Sequence, residues 1–174
     1  IFYPKSPRYL CEMPDYMPAN ARRVGVFVNE DKQTIEMFAD RFSLDFIQLH
    51  GNESPEYCRS LQLSGLKLIK AFPIASRKDL QNVHNYSNFC KYFLFDTKCE
   101  QRGGSGNQFD WSILHIYKGR TPFILSGGIN PYSAKALKEF QHPLLVGYDL
   151  NSRFEVKPGK KDAQRIHLFL NELR

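Results

Sequence analysis

No run of about 18 apolar residues occurs in this sequence, so nothing in it reads as a membrane-spanning helix. Cysteine is scarce. Cys11, Cys58, Cys90 and Cys99 form no C-x-x-C pair, and the histidines do not stand at zinc-finger spacing. That excludes a zinc module and a thioredoxin-type motif, and it reads as free thiols in a reducing compartment. Clustered charge is also missing. Lys and Arg total 24 against 18 Asp and Glu, a net charge of +6, but the basic residues form only doublets such as Arg22-Arg23 and Lys160-Lys161. A nucleic-acid stripe is therefore not expected, and a solvated basic surface with a local anion site is. The glycine loops lack the Lys-Ser/Thr ending of a P-loop, and no Gly-x-Gly-x-x-Gly follows a strand, which excludes nucleotide hydrolysis and dinucleotide binding. No leader pattern opens the chain, and a cytoplasmic location is expected.

What is present is 174 residues, 42% hydrophobic, enough for one domain with a core. Short apolar runs alternate with helical patterns. Strands are expected at Ile1–Tyr3, Val24–Val28, Phe46–Leu49, Lys67–Phe72, Tyr92–Phe95, Pro122–Leu125 and Leu144–Val146. They alternate little between apolar and polar, as strands covered on both faces should. Helices are expected at Lys32–Phe42, at Ser54–Leu63 with Ser54 as N-cap and Pro55 in the first turn, at Pro131–Phe140, and at Lys161–Leu173 with Ile166, Phe169, Leu170 and Leu173 inward. The segment Pro4–Arg22 carries Pro7, Pro14 and Pro18 and should be irregular or hold only a short helix. Repeated βα units imply a parallel α/β sheet with right-handed crossovers. On pattern alone, a barrel and a doubly wound sheet both remain open.

Polar or glycine residues follow nearly every strand: Ser6-Pro7-Arg8, Asn29-Glu30, Gln48-Leu49-His50-Gly51, Asp96-Thr97-Lys98, Ser126-Gly127-Gly128 and Gly147-Tyr148-Asp149. In a barrel such endings build the active site. Ser126–Pro131 reads as strand, glycine pair and helix start, a place where backbone N–H groups can meet an anion, or else as a tight turn. Gly147–Ser152 follows the last strand, and the final two loops of a barrel often bind phosphate. Gly103-Gly104-Ser105-Gly106 could wrap a phosphate or act as a lid. Asp96 ends an apolar strand, where partial desolvation suits a general acid, although an Asp there can also cap a turn. His50 could be a base, a ligand or a satisfied core histidine. Arg8 could grip a carboxylate or phosphate with its planar fork or lie on the surface.

Taken in order, Ser6-Pro7-Arg8-Tyr9, Val24–Asn29, Gln48-Leu49-His50-Gly51-Asn52-Glu53, Phe95-Asp96 with Gly103–Gly106 and Phe109-Asp110-Trp111, Ser126–Pro131, and Asp149–Ser152 with Phe154-Glu155 and Pro158–Asp162 resemble the phosphoribosylanthranilate isomerases. The resemblance runs from the first residues to the last helix. It implies a single (β/α)8 TIM-barrel domain over residues 1–174, with the first strand–helix unit absent from the sequence. It implies an Amadori rearrangement in tryptophan biosynthesis, without cofactor or metal. An acid opens the furanose ring, and a base then takes the C2 proton of the Schiff base. The family's acid falls on Asp96 and its anthranilate-carboxylate arginine on Arg8. Its phosphate glycines fall on Gly127 and Gly128, with Asp149, Asn151 and Ser152 in the companion loop, while Gln48 and His50 line the pocket. The family's cysteine base belongs to a Lys-hydrophobic-Cys-Gly stretch that this sequence lacks, and Cys11 does not match it. The implied partner is a small phosphorylated substrate, with no nucleic acid or membrane, and the protein would be a monomer or homodimer. Two alternatives stay open. One is a non-catalytic or differently specific phosphosugar-binding barrel. The other is an indole-forming synthase of the same pathway, which would want a lysine acid such as Lys70.

Overall fold

The computed structural model describes residues 1–10, 12, 20–97 and 111–174. Cys11, Cys99, the Gly103–Gly106 loop and Phe109-Asp110 lie outside the described residues, as do Met13 to Ala19 within the Pro4–Arg22 stretch. Six strands are hydrogen-bonded in consecutive order: β1 (Val24–Phe27), β2 (Phe46–Leu49), β3 (Leu68–Ile74), β4 (Cys90–Thr97), β5 (Phe123–Ser126) and β6 (Leu145–Tyr148). The β1–β2, β2–β3 and β5–β6 pairs are parallel. An unbroken consecutive order is that of a β/α barrel wall. A doubly wound sheet reverses its order at a switch point, so the choice left open by the pattern is closed by the topology.

The chain forms two compact units. The first, residues 1–71 and 85–93, holds β1, β2, α1 (Lys32–Arg41) and α2 (Pro55–Leu63) with the opening residues of β3 and β4. Both helices start as the sequence suggests. The Asp31 carboxylate accepts the Thr34 N–H, and the Ser54 hydroxyl accepts the Tyr57 N–H ahead of Pro55. Phe2, Phe27, Phe38 and Phe42 pack together, with ring centroids of Phe2 at 5.1, 4.6 and 4.8 Å from the other three. The strand expected at Ile1–Tyr3 is absent. Phe2 N–H donates to Val26 O at 2.8 Å, but the chain turns back at once through Ser6 N–H to Tyr3 O and Leu10 N–H to Ile1 O. One ladder bond and a buried aromatic anchor this segment without making it a strand.

The second unit, residues 72–84 and 94–174, holds β5, β6, α3 (Ala134–Glu139), α4 (Ala163–Leu173), and an antiparallel hairpin of β7 (Glu155–Lys157) and β8 (Lys160–Lys161). Phe95, Tyr117 and Phe123 form its aromatic centre, with Phe95 5.1 and 4.9 Å from the other two, and Phe154 packs tilted against Phe169. Three expectations are corrected. α3 does not open at Pro131 but at Ala134, because Asn130 and Ser133 first form a side-chain-bonded turn. Leu170 of α4 is exposed, while Phe169 is buried. The strand expected at Leu144–Val146 is β6 at Leu145–Tyr148, where a register slip between Leu145 and Gly147 leaves Val146 unpaired and 55% exposed.

Candidate active site

In the first unit the polar residues gather past the ends of β1 and β2. Gln48 in β2 and His50 one residue past its end stand two apart, hence on one face. The Gln48 amide Nε2 donates to His50 Nδ1 at 2.9 Å, which leaves Nε2 as the protonated nitrogen of the neutral ring. His50 N–H donates to Phe27 O at 2.8 Å and carries the β1–β2 pairing one residue beyond Leu49. The imidazole is exposed, so the reading of His50 as a satisfied core histidine is corrected. Arg8 is half-buried in the loop that closes on Ile1, its N–H donating to Ser6 Oγ at 3.1 Å.

In the second unit Asp96 is half-buried near the end of β4, between buried Phe95 and Thr97, so its side chain leaves the sheet on the face opposite to theirs. Thr97 is a residue that sequence reasoning passed over. Its Oγ1 donates to Ser126 O at 2.8 Å and Gly127 O at 3.2 Å, tying the end of β4 to the end of β5. Gly127 and Gly128 are both left-handed, with φ of +84° and +68°. At Gly127 a Cβ would run into the Thr97 carbonyl oxygen and stand 2.6 Å from the Thr97 nitrogen. No side chain fits there, and backbone is exposed in its place. Ser126 Oγ donates to Asp149 Oδ2 at 2.9 Å, and Asp149 N–H donates to Leu125 O, so the loops after β5 and β6 are joined.

Asn151 and Ser152 follow on the same side. Asn151 Oδ1 accepts from Lys161 Nζ at 3.0 Å, and Lys161 is also 3.1 Å from Glu155, which brings an ammonium to the companion loop from β8. Ser152 begins a 3-10 turn, Ser152–Phe154, and is exposed. The glycine pair is thus followed by an Asn-centred turn and not by a helix start: Asn130 Oδ1 accepts Tyr132 N–H, and Asn130 Nδ2 donates to Gly128 O. Backbone groups of the loop are what this arrangement offers to an anion.

Lys70, the acid that an indole-forming chemistry would want, is 2% exposed and 3.1 Å from the Glu53 carboxylate. Its ammonium also donates to Leu49 O, Gly51 O and Ala71 O, so it is engaged in structure and not aimed at a ligand. Cys58 in α2 and Cys90 at the start of β4 are buried, hydrogen-bonded thiols, away from the strand ends where the polar residues gather. Among the described residues no group of three or more His, Cys, Asp or Glu could hold a metal ion, and no helix is long and apolar enough to cross a membrane.

With this geometry in hand, the chain can be set beside known proteins. The sequence pattern of the family described as N-(5'phosphoribosyl)anthranilate (PRA) isomerase matches residues 11–172. A Phocaeicola vulgatus protein named N-(5'-phosphoribosyl)anthranilate isomerase is 49% identical over 174 residues, covering all of this chain and 85% of that protein. The crystal structure of phosphoribosyl anthranilate isomerase from Thermotoga maritima superposes with a TM-score of 0.81 at 36% identity, covering 99% of this chain and 84% of that one. A crystal structure of phosphoribosyl anthranilate isomerase in complex with reduced 1-(o-carboxyphenylamino)-1-deoxyribulose 5-phosphate superposes with a TM-score of 0.80 at 33% identity over 99% of this chain and 84% of the other.

Proposed function

The chain belongs to the N-(5'-phosphoribosyl)anthranilate isomerase family, and from that premise we propose how its residues divide the work of the reaction. The enzyme isomerises N-(5-phosphoribosyl)anthranilate to 1-(2-carboxyphenylamino)-1-deoxyribulose 5-phosphate in tryptophan biosynthesis. The observation that carries the assignment of parts is the left-handed Gly127-Gly128 pair pressed on Thr97, with Ser126 bonded to Asp149. These bare backbone amides hold the substrate phosphate, and Asn151 and Ser152 complete the cradle from the companion loop. Arg8 pairs its planar fork with the anthranilate carboxylate. Gln48 and His50 also contact the substrate, with the ring of His50 oriented by Gln48.

Asp96 is the general acid. It gives its proton to the furanose ring oxygen as the C1–O bond breaks, leaving a protonated Schiff base at C1. Loss of the C2 proton to a general base then gives an enol-amine, which tautomerises to the ketose. Cys58 and Cys90 are not that base, since both are buried free thiols, hydrogen-bonded to each other. The reaction uses no cofactor or metal, and the protein acts in the cytoplasm as a monomer or homodimer on a small phosphorylated substrate, touching neither nucleic acid nor membrane. Residues 1–174 belong to a single β/α-barrel domain, without its first strand–helix unit.

Asp96→Asn in the full-length protein tests the assignment. A proton donor in the transition state contributes about 10²- to 10⁴-fold, so kcat should fall by about two orders of magnitude or more while the protein stays folded. Near-wild-type turnover would remove Asp96 from the mechanism, and release of CO2 during turnover would exclude isomerisation.

A further inference from the structure

The buried Lys70–Glu53 ion pair has no part in the chemistry just described, yet it sits under the residues that do. Lys70 lies in β3 beside Leu49 of β2. Both side chains of the pair are 3% exposed or less. The ammonium donates to Gly51 O at 2.8 Å, Ala71 O at 2.9 Å and Leu49 O at 3.3 Å. Leu49 and Gly51 are the two chain neighbours of His50, so one cation holds the backbone on both sides of that histidine. The Glu53 carboxylate meets the ammonium at 3.1 Å and accepts the Gly51 N–H at 3.0 Å and the Asn29 N–H at 2.8 Å. Asn29 stands just past β1 in the left-handed region, with φ of +51°, and its Oδ1 accepts the Asn52 N–H at 2.6 Å. Tyr86 hydroxyl closes the knot by donating to Glu53 O at 3.1 Å. Gly51 fits closely inside it: a Cβ there would strike Asn29 Oδ1 and come to 2.7 Å from Glu53 Oε1, so both side chains would have to shift.

Packed apolar side chains can replace a buried ion pair with no loss of stability, so stability alone does not call for charge here. What apolar residues cannot do is hold Leu49 O at the last residue of β2 together with Gly51 O, Asn29 N and Gly51 N just past the strand ends. We propose that Lys70 and Glu53 are positioning residues for the isomerase site: together they set the backbone direction at His50 and, through it, the Gln48–His50 contact. The inference rests on the reading of Gln48 and His50 as pocket residues. Neither Lys70 nor Glu53 exchanges a proton with substrate; both act through the turn they hold.

The test uses Lys70→Met, Glu53→Gln and their combination in the full-length protein, with His50→Ala alongside. Each single variant leaves one charge buried without its partner and should lose both melting temperature and turnover. The double variant removes both charges and should regain part of the melting temperature that the single variants lose, while kcat/KM stays at least about tenfold below wild type and the His50 ring resonances remain shifted, because misplacement of about 1 Å is enough for such losses. Recovery of kcat/KM together with stability, with His50 itself sensitive to Ala, would overturn the positioning role and leave a structural pair. A fully active His50→Ala would remove the underlying reading and the inference with it. Should the double variant not fold, Asn29→Gly decides. It keeps the positive φ, loses only the bond to Asn52 at an exposed position, and should lower kcat/KM several-fold at unchanged melting temperature, whereas wild-type kinetics with unshifted His50 resonances would overturn the proposal.

Discussion

A single methyl group at Gly127 brings together two separate penalties. The position needs φ of +84°, and the Cβ would meet the backbone of Thr97, which cannot yield as a flexible side chain could. A non-glycine residue held in the left-handed region costs of order 1–3 kcal/mol, and displacement of the loop adds to this. Gly127→Ala should therefore lower the urea midpoint and, because the amides of the cradle move, raise KM for the phosphorylated substrate more than it lowers kcat. An unchanged midpoint and KM would mean that the loop neither is strained by the methyl nor binds phosphate. The left-handed turn at Gly127 was legible in the sequence, because a glycine pair directly after an apolar strand marks a place where the backbone must turn tightly or approach an anion. Lys70 was legible only in part. A lysine inside Leu68–Phe72 must be buried and paired, but its partner Glu53 lies across a helix and a strand boundary, and no local pattern points there. Thr97 gave no signal at all, since a threonine at a strand end is ordinary and its bonds to Ser126 and Gly127 depend on how β4 and β5 pair.

Elements follow the same logic. Phe46–Leu49 stands where the sequence puts it, and β4 and β5 differ by a residue or two at their ends, because strands covered on both faces show as unbroken apolar runs. The β7–β8 hairpin was not legible, since Glu155–Lys157 and Lys160-Lys161 carry no apolar alternation and are held by an ion pair and a turn. The start of α3 was misplaced because Asn-Pro resembles a helix opening, while the actual turn depends on the Ser133 hydroxyl accepting the Asn130 N–H. The connection from α3 to β6 carries a testable property. His142 Nδ1 accepts the Leu144 N–H, and Nε2 donates to Tyr117 O, so the ring is held neutral between Tyr117 and Phe123. Burial, with the nearby His115 and Lys118, lowers its pKa from the ordinary value of 6.5, against a smaller opposing effect of the Tyr117 carbonyl. The unfolded chain then binds this proton first as pH falls, so the contribution of His142 is complete above pH 6.5 and is lost progressively as pH drops toward the lowered folded value. Urea midpoints should decline between about pH 7 and pH 5, and His142→Gln should flatten that part of the decline. An identical slope in the variant would mean that the ring titrates alike in the folded and unfolded chains.

For the whole molecule, the informative quantity is the net charge of +6 carried without any basic run. Scattered charge cannot grip a polyanion, but it sums to a positive field around the protein that raises the encounter rate with small anions. A substrate with a phosphate at one end and a carboxylate at the other is of that kind, and the anchors proposed for it, the Gly127-Gly128 amides and Arg8, are met only after encounter. The two contributions separate by their range. Salt screens interactions over a Debye length of about 10 Å at 0.1 M and about 3 Å at 1 M, so the long-range field fades while hydrogen bonds within the site persist. Raising NaCl from about 0.02 to about 0.5 M should lower kcat/KM several-fold, with kcat nearly constant. A flat kcat/KM would confine anion recognition to the contacts of the loops after β5 and β6 and of Arg8. A parallel fall in kcat would instead place screened charge in the chemical step itself, and Asp96 would be the first residue to examine by the pH dependence of kcat.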